Sequence, residues 1–196
     1  MKTLFIDLIS TQEISAEEIR KLVNKLPSRL FLAYTIQYRQ IAEKIRKLCK
    51  KKIIGFRQIL GCSKIKTKNI LFIGDGEFHL QGIDAENIYT YDGSLKKIPK
   101  ETIDNLKKFR TRAIAKFYSA DKVGILVSCK PGQENFKQAL SLRDKLKKQN
   151  KEAFIFLSDN ISQSDLDNFQ VESWINTACP GLVFDFPVVN LSDITI

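Results

Sequence analysis

The chain has 196 residues, 43% hydrophobic and 28% charged, with 9 Gly and 5 Pro and no run approaching 18 uncharged apolar residues, which excludes collagen, wholesale disorder and a membrane-spanning helix. Its 32 Lys+Arg against 22 Asp+Glu leave a net charge of +10, which favours an acidic macromolecular partner. Much of that excess sits in helical stretches such as Lys44–Lys52, Lys107–Lys116 and Lys145–Lys151, where solvated helix faces account for it. These runs lack the interleaved exposed aromatics of a single-strand stacking platform, which argues against direct nucleic-acid binding.

In chain order, Met1–Leu8 turns apolar at once but carries Asp7 and has no small-residue cleavage pattern, so no secretion signal and a cytoplasmic location are expected. Apolar β-branched or aromatic runs at Thr3–Leu8, Leu30–Thr35, Ile70–Ile73, Ile88–Tyr91, Val123–Ser128, Ala153–Leu157 and Ser173–Asn176 read as strands. Ser15-Ala16-Glu17-Glu18 has capping-box spacing and opens a helix with Ile14, Ile19, Leu22, Val23 and Leu26 on one face, ended before Pro27. Further helices are expected over Ile36–Leu48, from about Glu101 to Phe117 with Ile103, Leu106, Phe109, Ala113 and Ile114 on one stripe, and over Phe136–Lys147.

Strands that are apolar almost throughout and separated by helices need crossover connections and covered faces. The expected class is therefore α/β with parallel sheets. A fresh βαβ unit begins near Ala120, dividing the chain into two small α/β domains, 1–117 and 118–196, with the cleft between them as the expected ligand site.

In parallel α/β units the functional loops leave the carboxyl ends of strands. Gly74-Asp75-Gly76-Glu77-Phe78-His79 follows one strand: its glycines allow close backbone approach, Asp75 offers an acceptor and His79 a proton donor, although a GDG loop alone marks no more than a turn. Ser128-Cys129-Lys130-Pro131-Gly132-Gln133 follows another and supplies a thiol, an ammonium and an amide at a helix start, suited to a carboxylate or other anion, or forms a plain strand-to-helix turn. Trp174-Ile175-Asn176-Thr177-Ala178-Cys179-Pro180 places Cys179 just past a third, and Ile59-Leu60-Gly61-Cys62 carries a further thiol. Each of these cysteines, taken singly, reads as readily as a buried inert thiol, and Cys49 as a half-buried helical one. No CxxC pair occurs and there is one histidine, which removes zinc ribbons and fingers; a metal held by the cysteines requires them to converge from distant parts of the fold.

Taken in order, LGC, GDGxFH, the Tyr91-Asp92 pair, SxKPGQ and WxNTACP, with Gln37 in a TxQ, resemble the diphthamide-biosynthesis enzymes, the 2-(3-amino-3-carboxypropyl)histidine synthases, over about Thr3–Val189. The resemblance implies a three-domain α/β fold of which this chain holds the middle and last domains, and a non-classical radical enzyme. It further implies a 4Fe-4S cluster with one cysteine from each domain, Cys62 and Cys179 matching two of them, and S-adenosylmethionine on the remaining iron. The product would be a 3-amino-3-carboxypropyl group attached to a histidine of translation elongation factor 2. Within that frame Gly74, Asp75, Gly76, Lys130, Gly132 and Gln133 are expected to bind S-adenosylmethionine, and His79 to be a polar wall or proton donor.

Departures from the family pattern are specific. Gly181 follows ACP where Arg is typical, Gly93 follows Tyr91-Asp92 where Pro is usual, Cys129 stands where Ser or Thr is general, and the region after Asp185 is short. The chain starts where the family's middle domain starts, which leaves the third cluster ligand open. A separate polypeptide supplies it in a homo- or hetero-oligomer, Cys129 replaces it, or the chain is a non-catalytic partner subunit.

Overall fold

The structure is a computed structural model and describes residues 8–60, 63–75, 82–130, 134–179 and 188–196. The chain forms two compact units, Met1–Asp104 and Asn105–Ile196. The first runs α1 (Ala16–Asn24), β1 (Arg29–Tyr34), a 3-10 turn (Ile36–Tyr38), α2 (Arg39–Leu48), β2 (Lys52–Gln58), β3 (Ile65–Ile73), β4 (Ile83–Tyr91), β5 (Leu95–Lys97) and the start of α3 (Lys100–Ser119). The second continues α3 and adds β6 (Lys122–Ser128), α4 (Phe136–Lys148), β7 (Glu152–Ser158), α5 (Gln163–Leu166), β8 (Ser173–Asn176) and β9 (Val188–Asn190).

Among the described residues the first unit holds a five-stranded sheet ordered β2-β1-β3-β4-β5, parallel except for β5, and the second a four-stranded sheet ordered β7-β6-β8-β9. All pairings in the second sheet are parallel. The α/β class with parallel sheets is thus the observed one. In both units the chain steps from a central strand outward to one side, then crosses back to the other. The strand order therefore reverses between β1 and β3, and again between β6 and β8.

Alternation along the strands builds a core on each face of each sheet. Leu30 and Leu32 of β1 and Leu71 and Ile73 of β3 pack under Ile19, Leu22, Ile41 and Ile45 of α1 and α2. Their neighbours Ala33, Ile70 and Phe72 point the other way, to Ile59, Ile88 and Ile103. In the second unit Val123, Ile125 and Val127 meet Phe117 of α3 and Leu142 and Leu146 of α4. Leu126 and Trp174 close the opposite face with Leu166.

The capping box forms as the spacing requires: Glu18 N–H donates to Ser15 Oγ at 3.2 Å, and Ser15 N–H donates to the Glu18 carboxylate at 2.8 Å. The bond from Ser15 N–H first, and then hydrogen bonding from the Ser15 side chain, hold the Glu18 carboxyl below its ordinary range.

Several expectations are corrected. The β2–β3 link, residues 59–64, is too short for a helix, and none occurs between β3 and β4 among the described residues. Strands β2, β5 and β9 form where no strand was expected. Helix α2 begins at Arg39, because Ile36–Tyr38 winds as a 3-10 turn. The α3 stripe is interrupted: Ile103 belongs to a first-unit core and Ala113 to a second-unit core, while Leu106 and Phe109 are 48% and 40% exposed. Apolar spacing cannot reveal that one helix serves two cores. The two compact units part within that same helix, after Asp104, a division by packing that does not decide the expected domain boundary at 117/118. The strand read at Thr3–Leu8 lies outside the described residues except for the exposed Leu8. Among the described residues no helix is long and apolar enough to cross a membrane.

Gly124 of β6 is closely packed, since a Cβ there would lie 2.2 Å from the Trp174 ring. Gly124→Ala is expected to destabilise the second unit by about 1–3 kcal/mol. Chemical denaturation followed by the fluorescence of Trp174, the sole tryptophan, measures it.

Candidate functional site

Parallel pairing aligns the carboxyl ends of the strands in each unit, and a strand-order reversal opens a crevice between two of them. In the first unit that crevice lies between β1, continued by Thr35 and Gln37, and β3, continued by Gly74 and Asp75. The two ends are tied by Thr35 N–H donating to Ile73 O at 3.1 Å, and Gly74 N–H donates across to Tyr91 O at 3.0 Å.

Thr35 is 3% exposed, and among the described residues neither its Oγ1 nor the buried Gln37 Oε1 has a hydrogen-bond partner. A buried polar group left unpaired costs about 1–3 kcal/mol, so two in one turn are expensive to keep unless something else meets them. Gly74 is required beside them: a Cβ would sit 2.9 Å from Thr35 Oγ1 and 2.7 Å from the Phe72 ring.

The surrounding field is negative. Burial chiefly, then the charges of Asp75 and Asp92, push the Tyr38 hydroxyl above its ordinary pKa. The Tyr91 hydroxyl is raised by burial, Glu18 and Asp92. Asp92 itself is held below the usual carboxylate range, first by the hydrogen bond from Lys96 at 2.9 Å and then, against the opposing effect of burial, by Ser94 N–H. Gly93 closes that turn at φ 116°, a conformation that a proline ring forbids, so the family's usual Pro could not take this backbone path.

In the second unit the crevice lies between β6 and β8. Leu126 is paired with Asn176, so Cys129 and Cys179 each fall three positions beyond the same register point, on neighbouring strand ends. Cys129 is exposed, with its N–H donating to Ser158 O at 3.1 Å, and Cys179 is half-buried. Lys130 N–H donates to Ser128 Oγ at 3.2 Å, which starts the turn after β6.

The Cys179 loop is held by Asn176, which is 3% exposed. Its Nδ2 donates to Cys179 O and to Asn190 Oδ1, and its Oδ1 accepts from Ala178 N–H, each at 2.9 Å. Thr177 anchors the next residue by donating Oγ1–H to Leu126 O at 2.7 Å, and Asn135 Nδ2 donates to Thr177 O at 2.7 Å from the start of α4. The functions of Asn176, Asn135 and Thr35 in positioning escaped residue-by-residue reading. The available signal was a polar side chain ending an otherwise apolar strand.

Of the residues singled out from sequence, the structure places Gly74 and Asp75 at one crevice and Cys129, Lys130 and Cys179 at the other. Cys62, Gly76, His79, Gly132 and Gln133 lie outside the described residues. Cys49 follows α2, donates its N–H to Ile45 O at 2.8 Å and packs against the first core. Among the described residues no group of three or more His, Cys, Asp and Glu is placed to hold a metal ion. The donor set still suits iron–sulfur ligation, with two thiols on adjacent strand ends, and the unpaired oxygens near Gly74 suit a polar ligand.

Fold and site define a parallel α/β protein with a thiol-bearing crevice in one unit and a polar, acid-flanked crevice in the other. A family described as "Putative diphthamide synthesis protein" matches residues 1–189, and the chain belongs to that family. It is 30% identical over 135 residues to the 2-(3-amino-3-carboxypropyl)histidine synthase of Pyrococcus horikoshii, covering 65% of this chain and 40% of that protein. To 2-(3-amino-3-carboxypropyl)histidine synthase subunit 1 of Schizosaccharomyces pombe it is 30% identical over 141 residues, covering 66% and 32%. The crystal structure of Dph2 from Pyrococcus horikoshii with a 4Fe-4S cluster superposes with a TM-score of 0.68 at 26% identity, covering 91% of this chain and 60% of that one. The chain thus spans only part of the length of the relatives it matches.

Two outcomes test this geometry. Asn176→Ala strips partners from Cys179 O, Ala178 N–H and Asn190, and is expected to cost about 2–4 kcal/mol and to speed alkylation of Cys179, read by denaturation and mass spectrometry. Asp75→Asn removes a charge that raises the Tyr38 hydroxyl, so the Tyr38 ring should titrate at lower pH, as followed by NMR. In linkage terms the raised hydroxyl contributes stability that is complete below the unfolded tyrosine pKa and is lost as pH rises through the folded one, and Asp75→Asn should shrink that alkaline loss.

Proposed function

We propose that this chain takes part in the first step of diphthamide biosynthesis, the transfer of a 3-amino-3-carboxypropyl group from S-adenosylmethionine to a histidine of translation elongation factor 2. Family membership supports this reading, and the single structural observation that carries it is the pair of cysteines flanking the β6–β8 crevice. Cys179 and Cys62 serve as thiolate ligands of a 4Fe-4S cluster, with the third thiolate from a partner polypeptide or from Cys129. When bound, the cluster supplies an electron for cleavage of the sulfonium carbon–sulfur bond and an iron free of protein ligands for S-adenosylmethionine.

The chain's own residues orient and enclose. Asn176 fixes the backbone that presents Cys179, as a neighbouring hydrogen-bonded shell does at metal sites generally. Lys130, with Gly132 and Gln133, offers a cation and polar donors to the methionyl carboxylate. Gly74, Asp75 and Gly76 line the ligand's polar end, and His79 stands as the proton donor or polar wall. The reaction takes place in the cytoplasm, where elongation factor 2 works. The basic surface, at net charge +10, favours an acidic face on the protein partner.

A second reading is a non-catalytic subunit that supports a cluster-bearing companion. It is favoured by relatives whose own name is subunit 1 of the synthase, a multi-subunit arrangement in which one chain can support another.

Anaerobic reconstitution with iron and sulfide decides between them. The enzymatic reading expects a reducible cluster and release of methylthioadenosine from S-adenosylmethionine, both lost in Cys62→Ala and Cys179→Ala. Loss of the cluster in Cys129→Ser as well identifies an internal third ligand, whereas activity that arises only on adding a companion protein identifies a split enzyme. Spectra unchanged by Cys62→Ala and Cys179→Ala would sink the cluster assignment.

A further inference from the structure

The basic run Lys44–Lys52 reads as one solvated helix face, but the structure divides it. Helix α2 stops at Leu48 and Lys52 already belongs to β2, so the positive charge continues off the helix end and onto a strand. A helix carboxyl end attracts cations, which accounts for Arg46 and Lys47 in the last turn but not for Lys50 and Lys52 beyond it. Lys47, Lys50 and Lys52 are exposed, and among the described residues none of them forms an ion pair. The sequence offers them no local counter-charge, since no Asp or Glu occurs between Glu43 and Asp75.

The strand that carries this charge has an open side. Sheet order begins with β2, which pairs with β1 alone among the described residues. Its other edge presents backbone N–H and C=O groups, a template for one more strand. The register slips where Leu30 meets Ile53 and Phe31 meets Gly55, so Ile54 is the extra residue of a bulge. Ile54 and Leu48 are each 44% exposed, which sets aliphatic surface beside the lysines. Helix and strand meet here, with the Arg46 guanidinium 4.6 Å from the centre of the Phe56 ring.

Three kinds of occupant compete for such an edge. A second copy of the chain would bring its own lysines against these, and like charges on facing strands repel. A single-stranded nucleic acid needs aromatic faces for its bases, but the ring of Phe56 is already engaged by Arg46 and by Tyr34 at 4.9 Å. An extended protein segment with acidic and aliphatic side chains answers the backbone edge, the lysines and the Leu48–Ile54 surface together. We infer that the open edge of β2, with Lys47, Lys50, Lys52, Leu48 and Ile54, is a docking strip for an acidic segment of a protein partner, which adds to the sheet as a further strand. This rests on the proposed reading for the existence of an acidic protein partner, adds where that partner is held, and needs neither cluster nor S-adenosylmethionine.

The test uses the full chain without iron, titrated by fluorescence anisotropy with a fluorescein-labelled heptapeptide of alternating glutamate and valine. Binding is expected to weaken about tenfold or more when Lys47→Glu, Lys50→Glu and Lys52→Glu are combined. A similar loss is expected for wild type with the same peptide N-methylated at every amide, which keeps its charges but cannot donate to a strand edge. Combining Lys137→Glu, Lys147→Glu and Lys148→Glu, exposed on α4, changes net charge equally and should leave the affinity within about twofold. Equal loss in the two triple variants, or equal affinity for the two peptides, reduces the binding to bulk charge and overturns the strip. Tighter binding of single-stranded oligouridine through the same lysines gives the surface to nucleic acid and overturns it too. So does a dimer in sedimentation velocity that the β2-edge variant dissociates, which gives the edge to a second copy. If circular dichroism shows that variant unfolded, the methylated peptide decides on wild type alone. A chain that forms the cluster yet ignores the peptide loses the strip and keeps the proposed chemistry, and one that binds the peptide without forming a cluster does the reverse.

Discussion

Parallel strand pairing is the constraint on which the candidate chemistry depends. A parallel ladder cannot be closed by a tight turn, so each strand starts at one edge of the sheet and ends at the other. Every residue that follows one of the parallel strands is thereby delivered to one edge. Both units use this rule with the same local order, a central strand followed first by its neighbour on one side and then by its neighbour on the other. At such a reversal the two connecting segments diverge, and the gap between them is where a ligand can reach backbone and side chains together. Thr35 and Gly74 border that gap in the first unit, Cys129 and Cys179 in the second.

The two gaps are built on opposite principles. Around Cys179 the polar groups are satisfied, with Asn176 using both ends of its amide and Thr177 and Asn135 tying the loop to β6 and α4. A ligating thiolate benefits from that rigidity, since a held sulfur loses little freedom when it takes up a metal. Around Thr35 the polar groups are unsatisfied, and the negative field of Asp75 and Asp92 reaches the same region.

Much of the fold was legible because its signals are local. The Ser15–Glu18 capping box, the buried face of α1 and the apolar strands β1 and β6 are each dictated by residues within a few positions of one another. What escaped was decided at a distance. Strand β2 is an edge strand whose Lys52, Arg57 and Gln58 face solvent, so its apolar signal is diluted. In β3 the first half alternates Lys66 and Lys68 with partly or fully covered residues, and only Ile70–Ile73 reads as an apolar run. Helix α3 looked like one amphipathic stripe because spacing records which residues share a face, not which core that face meets. Gly93 differs from the family's usual Pro for a backbone reason, its positive φ, that no reading of residue types discloses.

By itself the sequence determined the α/β class, the position of loops after strands and the family, because strand alternation, helix periodicity and ordered motifs are written in consecutive residues. Only the tertiary structure decided that Cys129 and Cys179 end neighbouring strands at a common register, that Asn176 holds the second of them, and that Thr35 Oγ1 lies against Gly74, with no hydrogen-bond partner among the described residues. The reason is that pairing partners and hydrogen-bond satisfaction join residues some 40 to 50 positions apart, and free energy assigns them only when the whole sheet has closed.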